Sequence, residues 1–123
     1  AGLTVLVLDN DIEIVHATAL LLRQWGCQAE GAADLADWKA QHLSTDFRPD
    51  VVLLDNDSSA LGDALDMARE ITRLWPEAGI LLVTGESDAT ALARLHNSGY
   101  PLLEKPVDPR ELREVLEMFR RLG

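Results

Sequence analysis

One cysteine, Cys27, in 123 residues leaves no internal disulfide and no thiol set for a structural zinc site. A chain without such staples must rest on an ordinary hydrophobic core, and 47% of these residues are hydrophobic, enough for one compact domain over residues 1–123. Positive charge is scarce as well. The 11 Lys and Arg stand against 21 Asp and Glu, and a net charge of −10 is the wrong sign for gripping a phosphate backbone, so no direct nucleic-acid partner is expected. No apolar run approaches the ~20 residues that cross a bilayer, and the start carries no basic leader, so membrane insertion is not expected and a reducing, cytoplasmic setting is. The first residue is Ala1 rather than Met, as in a processed chain or an excerpt of a longer, even membrane-attached, protein. Gly/Ser linkers, low-complexity segments and internal breaks in composition are missing too.

What is present is a fivefold alternation of short apolar runs with longer segments of helical period, the pattern of an α/β domain with a parallel sheet covered by helices on both faces. Leu3–Leu8 reads as the first strand, followed by a helix over Ile12–Trp25 with a stripe of Ile12, Val15, Ala19 and Leu22. Gly26 ends it. A weaker strand lies around Cys27–Gly31, and Asp34 caps a helix carrying Leu35, Trp38 and Leu43. Val51–Leu54 has four consecutive apolar residues, as a central strand should. The next helix runs from Asp63 to Trp75 with Ala64, Met67, Ala68, Ile71, Leu74 and Trp75 on one face, before Pro76 stops it. Ile80–Val83 and Pro101–Leu103 are the last strands, separated by a helix over Asp88–Ser98. Asp108 and Pro109 open a final helix with Leu112, Val115, Leu116 and Phe119 on its apolar side.

In such sheets ligands bind beyond the carboxyl ends of the strands. Those ends carry Asp9-Asn10-Asp11, Asp55-Asn56-Asp57, Thr84-Gly85-Glu86 and Glu104-Lys105-Pro106. Converging carboxylates raise one another's pKa unless a hard divalent cation or an ammonium group neutralises them, which points to Mg2+ and Lys105. A carboxylate at a strand end can also be a nucleophile toward phosphorus. Asp55 follows the most buried strand and is the candidate nucleophile, with Lys105 supplying positive charge and Thr84 a hydroxyl donor. Taken singly, each motif has a plainer reading. Asp9 and Asp11 cap a helix, Asp55 ends a strand, Lys105 is solvated and Thr84-Gly85 is a turn, but four coincidences at successive strand ends favour the joint one. His16, His42 and His96 have no ligand spacing, Trp25, Trp38 and Trp75 are read as packing residues, and Cys27 as a small hydrophobe.

With Val5-Leu6-Val7-Leu8-Asp9-Asn10-Asp11, Val51-Val52-Leu53-Leu54-Asp55, Leu82-Val83-Thr84-Gly85 and Leu103-Glu104-Lys105-Pro106-Val107 in this order, the chain resembles the receiver domain of two-component signalling. Receivers occur in response regulators, as chemotaxis receivers and in hybrid sensor histidine kinases, and the Leu102–Val107 stretch looks most like the last group. The resemblance implies a flavodoxin-like sheet of order 2-1-3-4-5. It also implies that Asp55 accepts a phosphoryl group from a phosphohistidine of a histidine kinase or histidine phosphotransfer domain. Mg2+ would be held by Asp9, Asn10, Asp55 and the backbone carbonyl of Asp57, while Thr84 and Lys105 would bind phosphoryl oxygens and Gly85 would leave room for them. The Lys105–Pro106 bond would be cis. Asp57 and Glu86 would tune hydrolysis of the aspartyl phosphate. The domain would thus be a phosphorelay switch with modest self-hydrolysis, not a turnover enzyme.

Three positions depart from the family pattern. Asn10 replaces the second acid of the metal-binding pair, so weaker Mg2+ binding is expected, partly offset by Asp9 and Asp11. Leu102 stands three residues before the lysine, where receivers often carry Tyr or Phe, and Tyr100 is not assigned that role. The loop from Ser58 to Asp63 lacks the usual Pro and Asp-Gly. The alternatives are a pseudo-receiver that only binds a partner and a small aspartate-nucleophile phosphatase built on Asp55-Asn56-Asp57. The phosphatase is disfavoured because its nucleophile normally ends the first strand. A homodimer through the fourth helix, the fifth strand and the fifth helix is compatible with the sequence, and no feature decides it.

Overall fold

The computed structural model describes residues 2–41, 46–55 and 64–122. Its element order is β1 (Thr4–Leu8), α1 (Ile12–Gln24), β2 (Gln28–Ala32), α2 (Leu35–Gln41), β3 (Val51–Asp55), α3 (Ala64–Leu74), β4 (Gly79–Thr84), α4 (Ala89–His96), β5 (Leu102–Glu104) and α5 (Pro109–Leu122). All strand pairs are parallel and the order is β2-β1-β3-β4-β5, the doubly wound arrangement expected of the family resemblance.

The alternation of side chains along each strand divides the core into two layers. Val5, Val7, Val51, Leu53, Leu81 and Leu103 turn to the side covered by α1 and α5, where they meet Val15, Ala19, Leu22, Leu112 and Leu116. Leu6, Leu8, Val52, Leu54, Ile80 and Leu82 turn to the other, against Leu35, Trp38, Ala68, Ile71 and Leu95 of α2, α3 and α4. β3, the middle strand, is buried over its whole length, which is why its sequence is apolar without alternation. On the α2 and α3 side the rings of Trp38, Phe47 and Trp75 pack together, with centroids 5.1 Å apart for the Trp pair and 5.2 and 6.3 Å from Phe47.

Gly26, Asp34 and Asp108 act as the sequence predicts, and Asp11 takes the cap role that is its plainer reading. Asp11 caps α1 by accepting from the Glu13 and Ile14 N–H groups, Asp34 accepts from Asp37 N–H, and Asp108 accepts from Arg110 N–H at the start of α5. At the far end of α1, Gly26 has φ +86, and the Cys27 and Gly26 N–H groups return to the Leu22 and Arg23 carbonyls, closing the helix with a left-handed residue.

Other expectations are corrected. Ile12, placed in the buried stripe of α1, is 54% exposed, because the first helical residue projects past the edge of the sheet it would need to pack on. Leu74, placed on the buried face of α3, is exposed at its last turn, while Trp75 just after it is buried. β2 starts and ends one residue later than Cys27–Gly31, β5 likewise is Leu102–Glu104, α1 stops at Gln24 and α4 stops at His96. Leu43 and Asp63, assigned to the second and third helices, lie outside the described residues.

Gly31 lies where β2 runs under α1, and a Cβ there would collide with Val15 Cγ1. Val15 is buried and β-branched, so it cannot turn away. Gly31→Ala is expected to destabilise the domain by about 1–3 kcal/mol. In urea denaturation, pairing it with Val15→Ala should cost less than the sum of the two single changes.

Candidate functional site

The carboxyl ends of β1, β3, β4 and β5 meet at one edge of the sheet. Three polar residues are buried there: Asp9, just past β1, is 5% exposed, Asp55, the last residue of β3, is 6% exposed, and Thr84, the last residue of β4, is fully buried. Lys105 follows β5, and its Nζ lies 3.1 Å from Asp55 Oδ1. Backbone pairing fixes this meeting, because Lys105 N–H donates to the Thr84 carbonyl at 2.7 Å and Asp9 N–H to the Ala32 carbonyl at 3.2 Å. Asp9, Asp55 and Lys105 belong to the strand parity that faces α1 and α5, whereas Thr84 belongs to the opposite parity. The carboxylates and the ammonium therefore come from one side of the sheet and the hydroxyl from the other.

Burial and the neighbouring Asp55 act on Asp9. Its pKa is pushed up to about 6, first by desolvation and then by its hydrogen bond and charge contact with Asp55. The Asp11 N–H, donating to Asp9 Oδ1 at 2.9 Å, and the Lys105 ammonium act in the other direction. Two buried carboxylates, one of them paired with the Lys105 ammonium, leave negative charge in excess. That hard-oxygen donor set is what a small divalent cation prefers, so Asp9 and Asp55 fit the Mg2+ that the family resemblance implies. Among the described residues these two stand without a third His, Cys, Asp or Glu gathered into a metal-binding cluster. Asn10 is exposed beside them and offers an amide oxygen without charge. Asp57, assigned a backbone ligand and a hydrolysis-tuning role, lies outside the described residues, as does the loop from Ser58 to Asp63.

Asp11 goes to its plainer role. Its carboxylate caps α1 and is exposed, so it is engaged with the helix rather than with the acidic pair. Glu86 is also engaged: its Oε1 accepts from Asp88 N–H at 2.9 Å. Glu86 N–H in turn donates to Thr84 Oγ1 at 2.9 Å, and Asp88 Oδ2 accepts from Ala91 N–H at 2.9 Å at the start of α4. The Thr84 hydroxyl is thus tied to the first turn of α4 through three successive side-chain to backbone bonds. Sequence reasoning read Asp88 as a helix start but missed this chain of bonds. The signal available was the i, i+2, i+4 spacing of Thr84, Glu86 and Asp88, each a residue type that bonds nearby N–H groups. Leu102 is half-buried and packs, with Tyr100, against the core on the α2 to α4 side. The Lys105–Pro106 bond is cis.

Folding raises the Asp9 pKa, so the ionised carboxylate opposes folding of the metal-free protein above about pH 6. The opposition vanishes below the ordinary value of 3.8, where the folded and unfolded chains are both protonated. Asp9→Asn keeps an oxygen for Asp11 N–H. It should raise the stability of the metal-free protein at pH 7.5 by on the order of 1–3 kcal/mol and give no gain below pH ~3.8, read from urea denaturation at the two pH values.

Comparison with known proteins agrees with this geometry. No curated protein is matched by the sequence. Among solved structures the chain is similar to a CheY-like response regulator receiver domain protein from Methanospirillum hungatei JF-1. The two share 23% identity and a TM-score of 0.77, with all of both chains covered. It is also similar to the chemotaxis protein CheY4 of Vibrio cholerae, with 23% identity and a TM-score of 0.77 over 97% of this chain and 99% of that one. A third is the BeF3-activated receiver domain of DrrB, a Thermotoga maritima protein, with 20% identity and a TM-score of 0.79 over 98% and 99%. The family model of the response regulator receiver domain matches residues 5–117, and the chain with its Asp55, Thr84 and Lys105 at successive strand ends belongs to that family.

Proposed function

We propose that this receiver domain is a phosphoryl-accepting switch in a two-component phosphorelay, with Asp55 as the acceptor. The observation that carries the reading is the contact between the buried Asp55 carboxylate and Lys105 Nζ, 3.1 Å apart at the end of the most buried strand. A carboxylate oxygen of Asp55 attacks the phosphorus of a phosphohistidine on a histidine kinase or histidine phosphotransfer domain. The P–N bond breaks as the P–O bond forms, and the imidazole leaves with the electron pair of the broken bond and takes up a proton. Lys105 stands where it can follow the charge from the unphosphorylated Asp55 carboxylate to a phosphoryl oxygen. The Thr84 hydroxyl accepts from Glu86 N–H, and on phosphorylation it would donate its proton to another phosphoryl oxygen.

Asp9, Asn10 and Asp55 would hold Mg2+, with the Asp57 carbonyl as a further ligand, and the ion supplies positive charge that offsets the phosphoryl oxygens. Asn10 brings one charge fewer than an acid in its place, so this receiver should need more Mg2+. The added phosphoryl charge, about −1.5 to −2, biases the Thr84 to α4 connection and with it partner binding through α4 and β5. On this reading the domain is a phosphotransfer substrate with slow self-hydrolysis, acting in the cytoplasm, whether alone or attached to a hybrid kinase.

Intact mass after incubation with acetyl phosphate tests the reading. A Mg2+-dependent gain of one phosphoryl group that disappears in Asp55→Ala is expected, and Asn10→Asp should lower the Mg2+ concentration needed for half of the effect. No gain under any condition would instead favour a pseudo-receiver that works by binding alone, the reading to which Asn10 lends most weight. Glu86 gives a second test. If its carboxylate acts by holding the loop through Asp88 N–H, Glu86→Gln should keep the lifetime of the phosphorylated form near that of the parent while Glu86→Ala changes it. If its charge acts on the attacking water, both variants should shift the lifetime together.

A further inference from the structure

The carboxylate edge opens into a cleft whose apolar part phosphoryl transfer does not use. On the α1 and α5 side of the sheet a cavity of about 240 Å³ runs between the two helices. Val7, Leu53 and Val83 of three adjacent strands form its floor, Thr18 of α1 and Leu112 of α5 its flanks, and Val107 of the β5 to α5 connection its rim. Strand parity explains why the wall is apolar, since these strand positions face the α1 and α5 layer. The same parity sends Asp9, Asp55 and Lys105 to this side, and all three line the cavity at its polar end.

An apolar cavity of ~150 Å³ is enough to take up a benzene-sized molecule, and ligand sites in general combine apolar walls with a few convergent polar groups. Here the polar groups also specify charge. Two carboxylates are set against one ammonium, and the whole chain carries −10. An anionic head would meet excess negative charge, a neutral head would leave that excess facing hydrocarbon, and a cationic head balances it.

We propose that this cleft binds small cationic amphiphiles: a primary ammonium or amidinium group, held by Asp9 and Asp55, on an apolar body about the size of one aromatic ring, held between Thr18 and Leu112. Such a ligand draws on the carboxylates assigned above to Mg2+, so the two compete. The competition rests on that assignment, whereas the binding itself does not.

The test is a titration of the whole chain with benzylamine at pH 7.5 without divalent cations, followed by NMR of the valine and leucine methyl groups, with benzyl alcohol and benzoate as the neutral and anionic counterparts. Saturable shifts at Val83, Val107 and Leu112 are expected with benzylamine, with about tenfold weaker binding of benzyl alcohol and none of benzoate. Thr18→Phe, which fills the cleft from α1, should abolish binding in a protein that still melts cooperatively. Leu112→Ala, which widens it, should admit 1-naphthylmethylamine. The proposal is overturned if benzyl alcohol binds as well as benzylamine, if shifts map elsewhere, or if both cleft variants leave binding unchanged. Benzylamine that binds but is not displaced by Mg2+ supports the cleft and counts against the Mg2+ ligands. A chain that is phosphorylated on Asp55 but binds no benzylamine retains the receiver reading and loses the cleft.

Discussion

Burying two carboxylates side by side is unfavourable, and the architecture at the carboxyl edge of the sheet answers that cost. Asp9 and Asp55 are almost fully covered, and the positive group set against Asp55 is the Lys105 ammonium, delivered from a strand two places away in the sheet. Breaking such a pair by removing one partner leaves an uncompensated buried charge, so the position of β5, the course of the chain into α5 and the pairing of Lys105 N–H with the Thr84 carbonyl are all tied to one contact. The raised pKa of Asp9 is the residue of the conflict that the lysine does not remove.

The unrelieved charge also links stability to function. On the proposed function the site would receive a divalent cation and a phosphoryl group, and it would then carry negative charge that the unliganded fold would be more stable without, as functional sites commonly do. Asn10 reduces the charge of the edge by one relative to an acid in its place. On the proposed function, that missing charge would weaken the hold on a cation.

The second organising feature is the sheet's strict division into two layers. Because neighbouring residues of a strand face opposite layers, the site draws its carboxylates and its lysine from the α1 and α5 side and its hydroxyl from the side of α2, α3 and α4. A group bound between them touches both layers. On one side it reaches the bonds that run from Thr84 through Glu86 and Asp88 into α4, and on the other it sits above the apolar cleft between α1 and α5. A small change at the edge can therefore be felt by helices on both faces of the sheet.

Much of this was legible in the sequence, because the features concerned are local. The apolar runs Leu3–Leu8, Val51–Leu54 and Ile80–Val83, the caps at Asp11, Asp34 and Asp108, and the stop at Gly26 follow from periodicity and backbone preference, and strand-end positions alone nominate Asp9, Asp55, Thr84 and Lys105. Tertiary structure decided what depends on the distance between segments. It left Ile12 and Leu74 in solvent although their spacing matched the buried stripes, since a helix extends beyond the sheet that covers its middle. It brought Lys105 to Asp55 across fifty residues of chain and opened a cleft between α1 and α5, because the helices' separation is set by the side chains wedged between them and not by either helix alone.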